Sequence, residues 1–192
     1  MPHINLAEGI PGIRSLFAFR QDTAKVLCDL ANVLLHEPST LSQADRELIA
    51  TYVSSLNACK YCQASHAAIA AAHLNGNEDL VAEVCRDPEA APISEKLKAL
   101  LAIAGQVQKG GKSVRGEHIE RARVAGATDR EIHDAVLIAA AFCMYNRYVD
   151  GLATWAPEDA DGYRQRGEAI ARNGYQYVPS VSAAAARPST GS

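Results

Sequence analysis

A helical apolar stripe ends at the break Asn57-Ala58 and a new helix begins beyond it, and this junction constrains the fold more than any other feature of the chain. Before it, Leu48, Ile49, Tyr52, Val53 and Leu56 line one side of a helix. Ser42-Gln43-Ala44-Asp45 offers that helix a start, with an acid in its first turn. After the junction a second helix starts around Cys59 and runs to about His73, where Asn75-Gly76-Asn77 closes it. A chain that turns back between two such helices makes an antiparallel pair.

The remaining text has the same helical character. Residues 1–20 carry Gly9, Pro11 and Gly12 and read as a loop or arm, which Leu16, Phe17 and Phe19 can pack onto the body. Periodicity starts near Asp22-Thr23, with Val26, Leu27, Leu30, Val33 and Leu34 on one side, and stops at Glu37-Pro38-Ser39. A short helix is expected over about Asp79 to Cys85, and Ser94 opens another through Leu97, Leu100, Leu101 and Ile103. After the flexible Lys109-Gly110-Gly111-Lys112, helices follow from about Gly116 to Val124, from Thr128-Asp129 to about Val149, and from Gly162 to Arg172. No segment reads as a strand, so the fold class is all-α. Residues 1–178 read as one domain with an N-terminal arm, and residues 179–192 as a flexible tail.

Composition excludes several classes. The 192 residues suit one domain, and 48% hydrophobic content is ordinary for a globular chain. A net charge of -3 gives no basic surface for nucleic acid. No apolar run is long enough to span a bilayer, and the N-terminus lacks a secretory pattern, so a cytoplasmic protein is expected. Five cysteines, an odd number, argue for thiols with separate roles rather than a disulfide framework.

Four reactive side chains flank the junction: Glu47, Cys59, Cys62 and His66. At roughly 1.5 Å per residue, Glu47 and His66 each lie about 12–15 Å from the turn, so an antiparallel pair brings them level. A single continuous helix would instead hold Glu47 roughly 18 Å from Cys59. At the start of its helix Cys59 meets unpaired N–H groups that favour a thiolate. Cys62 and His66 are one turn apart on one face, so His66 can take the Cys62 thiol proton while Glu47 orients the imidazole. A zinc site wants four ligands and this segment supplies three, so no metal is expected. Cys28 and Cys85 read as buried thiols, and His73 as structural or surface. Tyr145, Asn146, Arg147 and Asp150 line either the pocket or a subunit interface.

The pattern Glu-x11-Cys-x2-Cys-x3-His resembles the alkylhydroperoxidase AhpD family of the carboxymuconolactone decarboxylase-like superfamily, over about Thr40 to Ala72. Ser42 to Ala50 and Asn146-Arg147-Tyr148-Val149-Asp150-Gly151 are also similar to peroxidase-related members. The resemblance implies an all-helical fold, homo-oligomers such as trimers or hexamers, and a peroxidase cycle on a hydroperoxide substrate without haem or metal. It implies Cys62 as the peroxidatic thiol, Cys59 as the resolving thiol that closes a Cys59–Cys62 disulfide, and His66 with Glu47 as the proton relay. An external dithiol, of lipoyl type in the family, would reset the pair. This chain departs from AhpD at Tyr61, a possible pocket residue, where AhpD carries a second His; a phenol with a pKa near 10 is a poor base at neutral pH. A general thiol–disulfide oxidoreductase and a non-catalytic redox sensor are the alternative functions.

Shifting the motif by 84 residues lays Glu47 on Glu131, Cys59 on Cys143, Tyr61 on Tyr145, Cys62 on Asn146 and His66 on Asp150. Either an internal helical repeat lost its redox pair in the second copy, leaving Cys143 a core thiol, or chance and helical composition produce the match.

Overall fold

In the computed structural model, which describes residues 1–176, nine α-helices follow one another with no strand among the described residues. They are α1 (Ile13–Phe19), α2 (Gln21–Leu35), α3 (Gln43–Leu56), α4 (Lys60–His73), α5 (Glu78–Arg86), α6 (Glu95–Lys109), α7 (Gly116–Val124), α8 (Asp129–Gly151) and α9 (Ala160–Asn173). A single 3-10 turn, Gly111–Ser113, links α6 to α7. The tail expected over residues 179–192 lies outside the described residues. None of the described helices is long and apolar enough to cross a membrane.

Side-chain caps begin the main helices where the sequence offers them. Ser42 Oγ accepts from the Asp45 amide at 3.0 Å, and Ser94 Oγ from the Leu97 amide at 3.1 Å. Thr128 and Glu131 form a reciprocal capping box at the start of α8. Each cap satisfies an amide that has no partner inside its helix.

The α3–α4 hairpin is the centre of the molecule. It packs on α8 and, through α3, on α6, which also packs on α8, while α9 is laid along α4. Leu48, Ile49 and Val53 of α3, Leu100, Leu101 and Ile103 of α6, and Ile138 and Phe142 of α8 make one continuous core. A smaller cluster of Cys59, Tyr61, Cys62 and Val149 lies beside it, packed on Ile13 of α1 and Tyr163 of α9. Cys59 and Cys62 thus belong to a satellite of the core.

Several expectations change. Residues 13–19 are helical, and the arm is tied to the chain beyond α8 by His3 N–H to Leu152 C=O at 3.0 Å and Gly12 N–H to Trp155 C=O at 2.9 Å. Leu16 is buried, whereas Phe19 is exposed. On α2 the core side carries Ala24, Cys28, Leu34 and Leu35, while Val26 and Val33 face outward. The expected stripe was rotated because small Ala24 and Cys28 allow close packing and carry little hydrophobic signal. Leu56 is also outside the core proper.

The internal repeat fails on chain path. The first segment runs as helix, turn, helix, with Ala58 at a φ of 55°. Its counterpart is the uninterrupted α8, because Ala139-Ala140-Ala141-Phe142 contains no turn signal. Glu131 serves its own helix cap and pairs with Lys96 at 2.8 Å, and Asp150 is exposed. Cys143 and Cys85 are half-buried rather than core thiols.

Candidate active site

Ala58 takes a left-handed conformation that reverses the chain, and Cys59 becomes the N-cap residue of α4 rather than a residue of its first turn. The Cys59 thiol caps no amide; it donates to Cys62. Cys62 occupies the first turn of α4, where the helix N-terminus favours negative charge. Both are free thiols, with exposures of 0% and 4%.

The antiparallel pair brings Glu47 level with His66. His66 Nδ1 lies 2.8 Å from Glu47 Oε2, and the Glu47 side chain is 1% exposed against 14% for His66. With the Nδ1 proton held by the carboxylate, Nε2 is left as the acceptor nitrogen. Phe142 sets its edge against the ring at a centroid distance of 4.5 Å.

Two further residues complete the arrangement. Tyr175, just past α9, donates its hydroxyl to Glu47 Oε1 at 2.5 Å, and its oxygen lies 3.1 Å from His66 Nδ1. Burial, then the Glu47 charge, hold the Tyr175 hydroxyl well above its ordinary range, so it remains a donor. No sequence spacing could have found this residue, which is 128 positions from Glu47. Asn146 of α8 is buried and donates to Ser54 Oγ at 3.1 Å while accepting from Asn57 Nδ2 at 2.8 Å. It also supplies a hydrogen bond to Cys62. Of the four α8 residues left between pocket and interface, Tyr145 borders the cavity and Asn146 backs the thiol, whereas Arg147 and Asp150 are exposed.

The two thiols differ in acidity. The Cys59 hydrogen bond stabilises the Cys62 thiolate and lowers its pKa, against the cost of burial and with help from His66 and Asn146. That hydrogen bond and burial push Cys59 the other way. The charge expected on Cys59 from its place at the helix start therefore belongs on Cys62.

Cys62 and His66 border a cavity of about 470 Å³, with Tyr61, Phe142, Tyr145 and Tyr175 in its wall. Cys59 lies behind Cys62 and does not reach it. Tyr61 is buried against Gly12, where an added Cβ would sit 2.3 Å from its ring, and burial pushes its hydroxyl above the ordinary value. His73 ends α4 half-buried, with its imidazole held below the ordinary range by burial. Among the described residues no cluster of His, Cys, Asp and Glu is arranged to hold a metal ion.

An all-helical hairpin carrying these groups defines an AhpD-like fold. It is shared with an uncharacterized peroxidase-related protein from Silicibacter sp. TM1040, at 26% identity over 82% of this chain and 81% of that one, with a TM-score of 0.72. A protein from Ralstonia eutropha JMP134, described as an alkylhydroperoxidase AhpD core and an uncharacterized peroxidase-related protein, has the same fold. Its identity is 24% over 83% of this chain and 82% of that one, with a TM-score of 0.73. The carboxymuconolactone decarboxylase family model matches residues 21–104. No curated protein matches the sequence. Residues 21–104 are thus similar to the carboxymuconolactone decarboxylase family, and the fold of the chain is AhpD-like.

Proposed function

We propose that this protein is a thiol-dependent hydroperoxide reductase. The observation that carries the reading is the asymmetry of the thiol pair: Cys62 borders the cavity with its pKa lowered, and Cys59 stands behind it as the hydrogen-bond donor.

In this reading His66 Nε2 takes the Cys62 thiol proton, and Glu47 with Tyr175 stabilises the imidazolium. The thiolate attacks the terminal oxygen of the hydroperoxide. The O–O bond breaks, Cys62 becomes a sulfenic acid, and the leaving alkoxide takes the proton from His66 to depart as an alcohol. The Cys59 thiol then attacks the sulfenic sulfur; water leaves and a Cys59–Cys62 disulfide forms. An external dithiol, of lipoyl type, reduces that disulfide by two exchanges and is itself oxidised to a disulfide. The cycle requires no resident cofactor.

The same reading makes the protein an antioxidant enzyme of the cytoplasm that works as a homo-oligomer, a trimer or hexamer. Val26 and Val33, two turns apart on α2, are exposed apolar side chains that an assembly would cover.

The test is mass spectrometry after one equivalent of hydroperoxide. Wild type should lose two hydrogen atoms by closing the Cys59–Cys62 disulfide, and Cys59→Ser should retain one oxygen on Cys62, trappable by dimedone. Oxygen on Cys59 in the Cys62→Ser variant, with none on Cys62 in Cys59→Ser, would exchange the roles of the thiols.

A further inference from the structure

The cavity has a charge pattern that peroxide reduction alone does not require. Arg14 of α1 and Arg166 of α9 both border it, and no aspartate or glutamate does. Among the described residues neither guanidinium makes a hydrogen bond or an ion pair, although most other arginines of the chain do. Residues 177–192 contain no aspartate or glutamate that could neutralise them. Both act on Tyr61, where they favour the charged phenol, and Arg166 is held below its ordinary range by burial and then by Arg14. Two like charges are therefore kept close together at the edge of a site without a counter-charge. Much of the remaining wall is apolar, with Ile13, Phe17, Leu27, Ile69 and Phe142.

We propose that the cavity takes amphipathic organic hydroperoxides bearing a carboxylate, the class of fatty-acid hydroperoxides. Arg14 and Arg166 hold the carboxylate, the apolar wall holds the chain, and the hydroperoxide is presented to Cys62. A guanidinium fork matches a carboxylate in geometry as well as charge. A volume of about 470 Å³ is in the range of small-molecule sites, and a mostly apolar wall with a few placed polar groups is their usual design. Both arginines are exposed, so the gain from pairing is screened and moderate.

The proposal rests on the peroxidase reading for its chemistry but not for its binding site, and the test separates the two. Calorimetric titration of the full-length protein with decanoate and with decanol compares one tail with and without the charge. Decanoate should bind about tenfold more tightly at low salt, and the double variant Arg14→Ala/Arg166→Ala should bring its affinity down to that of decanol. Equal affinities in wild type, a preference that survives in the double variant, or no binding of either probe would overturn the proposal. In turnover, a fatty-acid hydroperoxide should show a KM about tenfold below that of its methyl ester, again only while the arginines are present. A decanoate preference in a protein that consumes no hydroperoxide would remove the peroxidase reading and keep the carboxylate site. Turnover with no preference would do the reverse.

Discussion

The hydroxyl of Tyr175 lies 2.5 Å from Oε1 of Glu47, joining the end of α9 to the middle of α3 across 128 residues. Glu47 therefore divides its two oxygens, one to the Tyr175 hydroxyl and one to His66 Nδ1. A buried carboxylate needs both partners, since an unpaired acceptor in the interior costs more than a made hydrogen bond returns.

Tyr175→Phe removes one of these bonds and keeps the ring that stacks near His66. A hydrogen bond to a charged group contributes about 1.5–3 kcal/mol, so kcat/KM for hydroperoxide should fall about tenfold or more. The helical content should stay at the wild-type level by circular dichroism. An unchanged rate would take Tyr175 out of the relay.

Glu47→Gln tests the same relay from its centre. The amide cannot carry the charge that stabilises an imidazolium, and its NH2 group can turn against Nδ1. Turnover should drop by about 10²-fold, within the span of general acid–base effects. A rate within twofold of wild type across the pH range, in stopped-flow assays, would contradict the role.

The α3–α4 hairpin is legible in the sequence, whereas its surroundings are only partly so. Ser42, Ser94 and Thr128 announce their helices because capping is local chemistry, and the turn at Asn57-Ala58 follows from the stripe that ends there. From that turn the approach of Glu47 to His66 can be foreseen by helix geometry alone. Tyr175 could not be, because its contact depends on how α9 lies on α4. Small residues decide that packing. Gly167 is buried against the Ala68 backbone, and a Cβ there would sit 2.7 Å from the Ala68 carbonyl carbon. The outward turn of Val26 has the same origin, since Ala24 and Cys28 face the neighbouring helices. The thiol roles at the start of α4 needed the N-cap geometry, which moved the favoured charge from Cys59 to Cys62.

Gly167→Ala converts this packing into a measurement. The added methyl has no room against the backbone and should cost about 1–3 kcal/mol, lowering the melting temperature by several degrees. Because Tyr175 follows directly on α9, activity should fall below wild type even at temperatures where the variant is folded. A variant as stable and active as wild type would show that α9 does not press on α4 in solution.

The acidity of Cys62 depends on its neighbour. Its pKa lies below the ordinary thiol value chiefly because the Cys59 thiol donates to it, so at neutral pH a larger fraction is thiolate than for a free cysteine. Cys59→Ala removes that donor. Its loss moves the Cys62 pKa upward, so the pH profile of alkylation by iodoacetamide should shift to higher pH. A midpoint that stays in place, or moves lower, would assign the lowering to other groups.

The central claim is catalytic reduction of a hydroperoxide by this thiol pair. Its most direct test is consumption of an organic hydroperoxide by purified protein with excess dihydrolipoamide, run beside Cys62→Ser. The account predicts many turnovers per protein chain in wild type and none above background in the variant. Oxidation of the Cys59–Cys62 pair once per chain without further turnover, or equal consumption by Cys62→Ser, would contradict it.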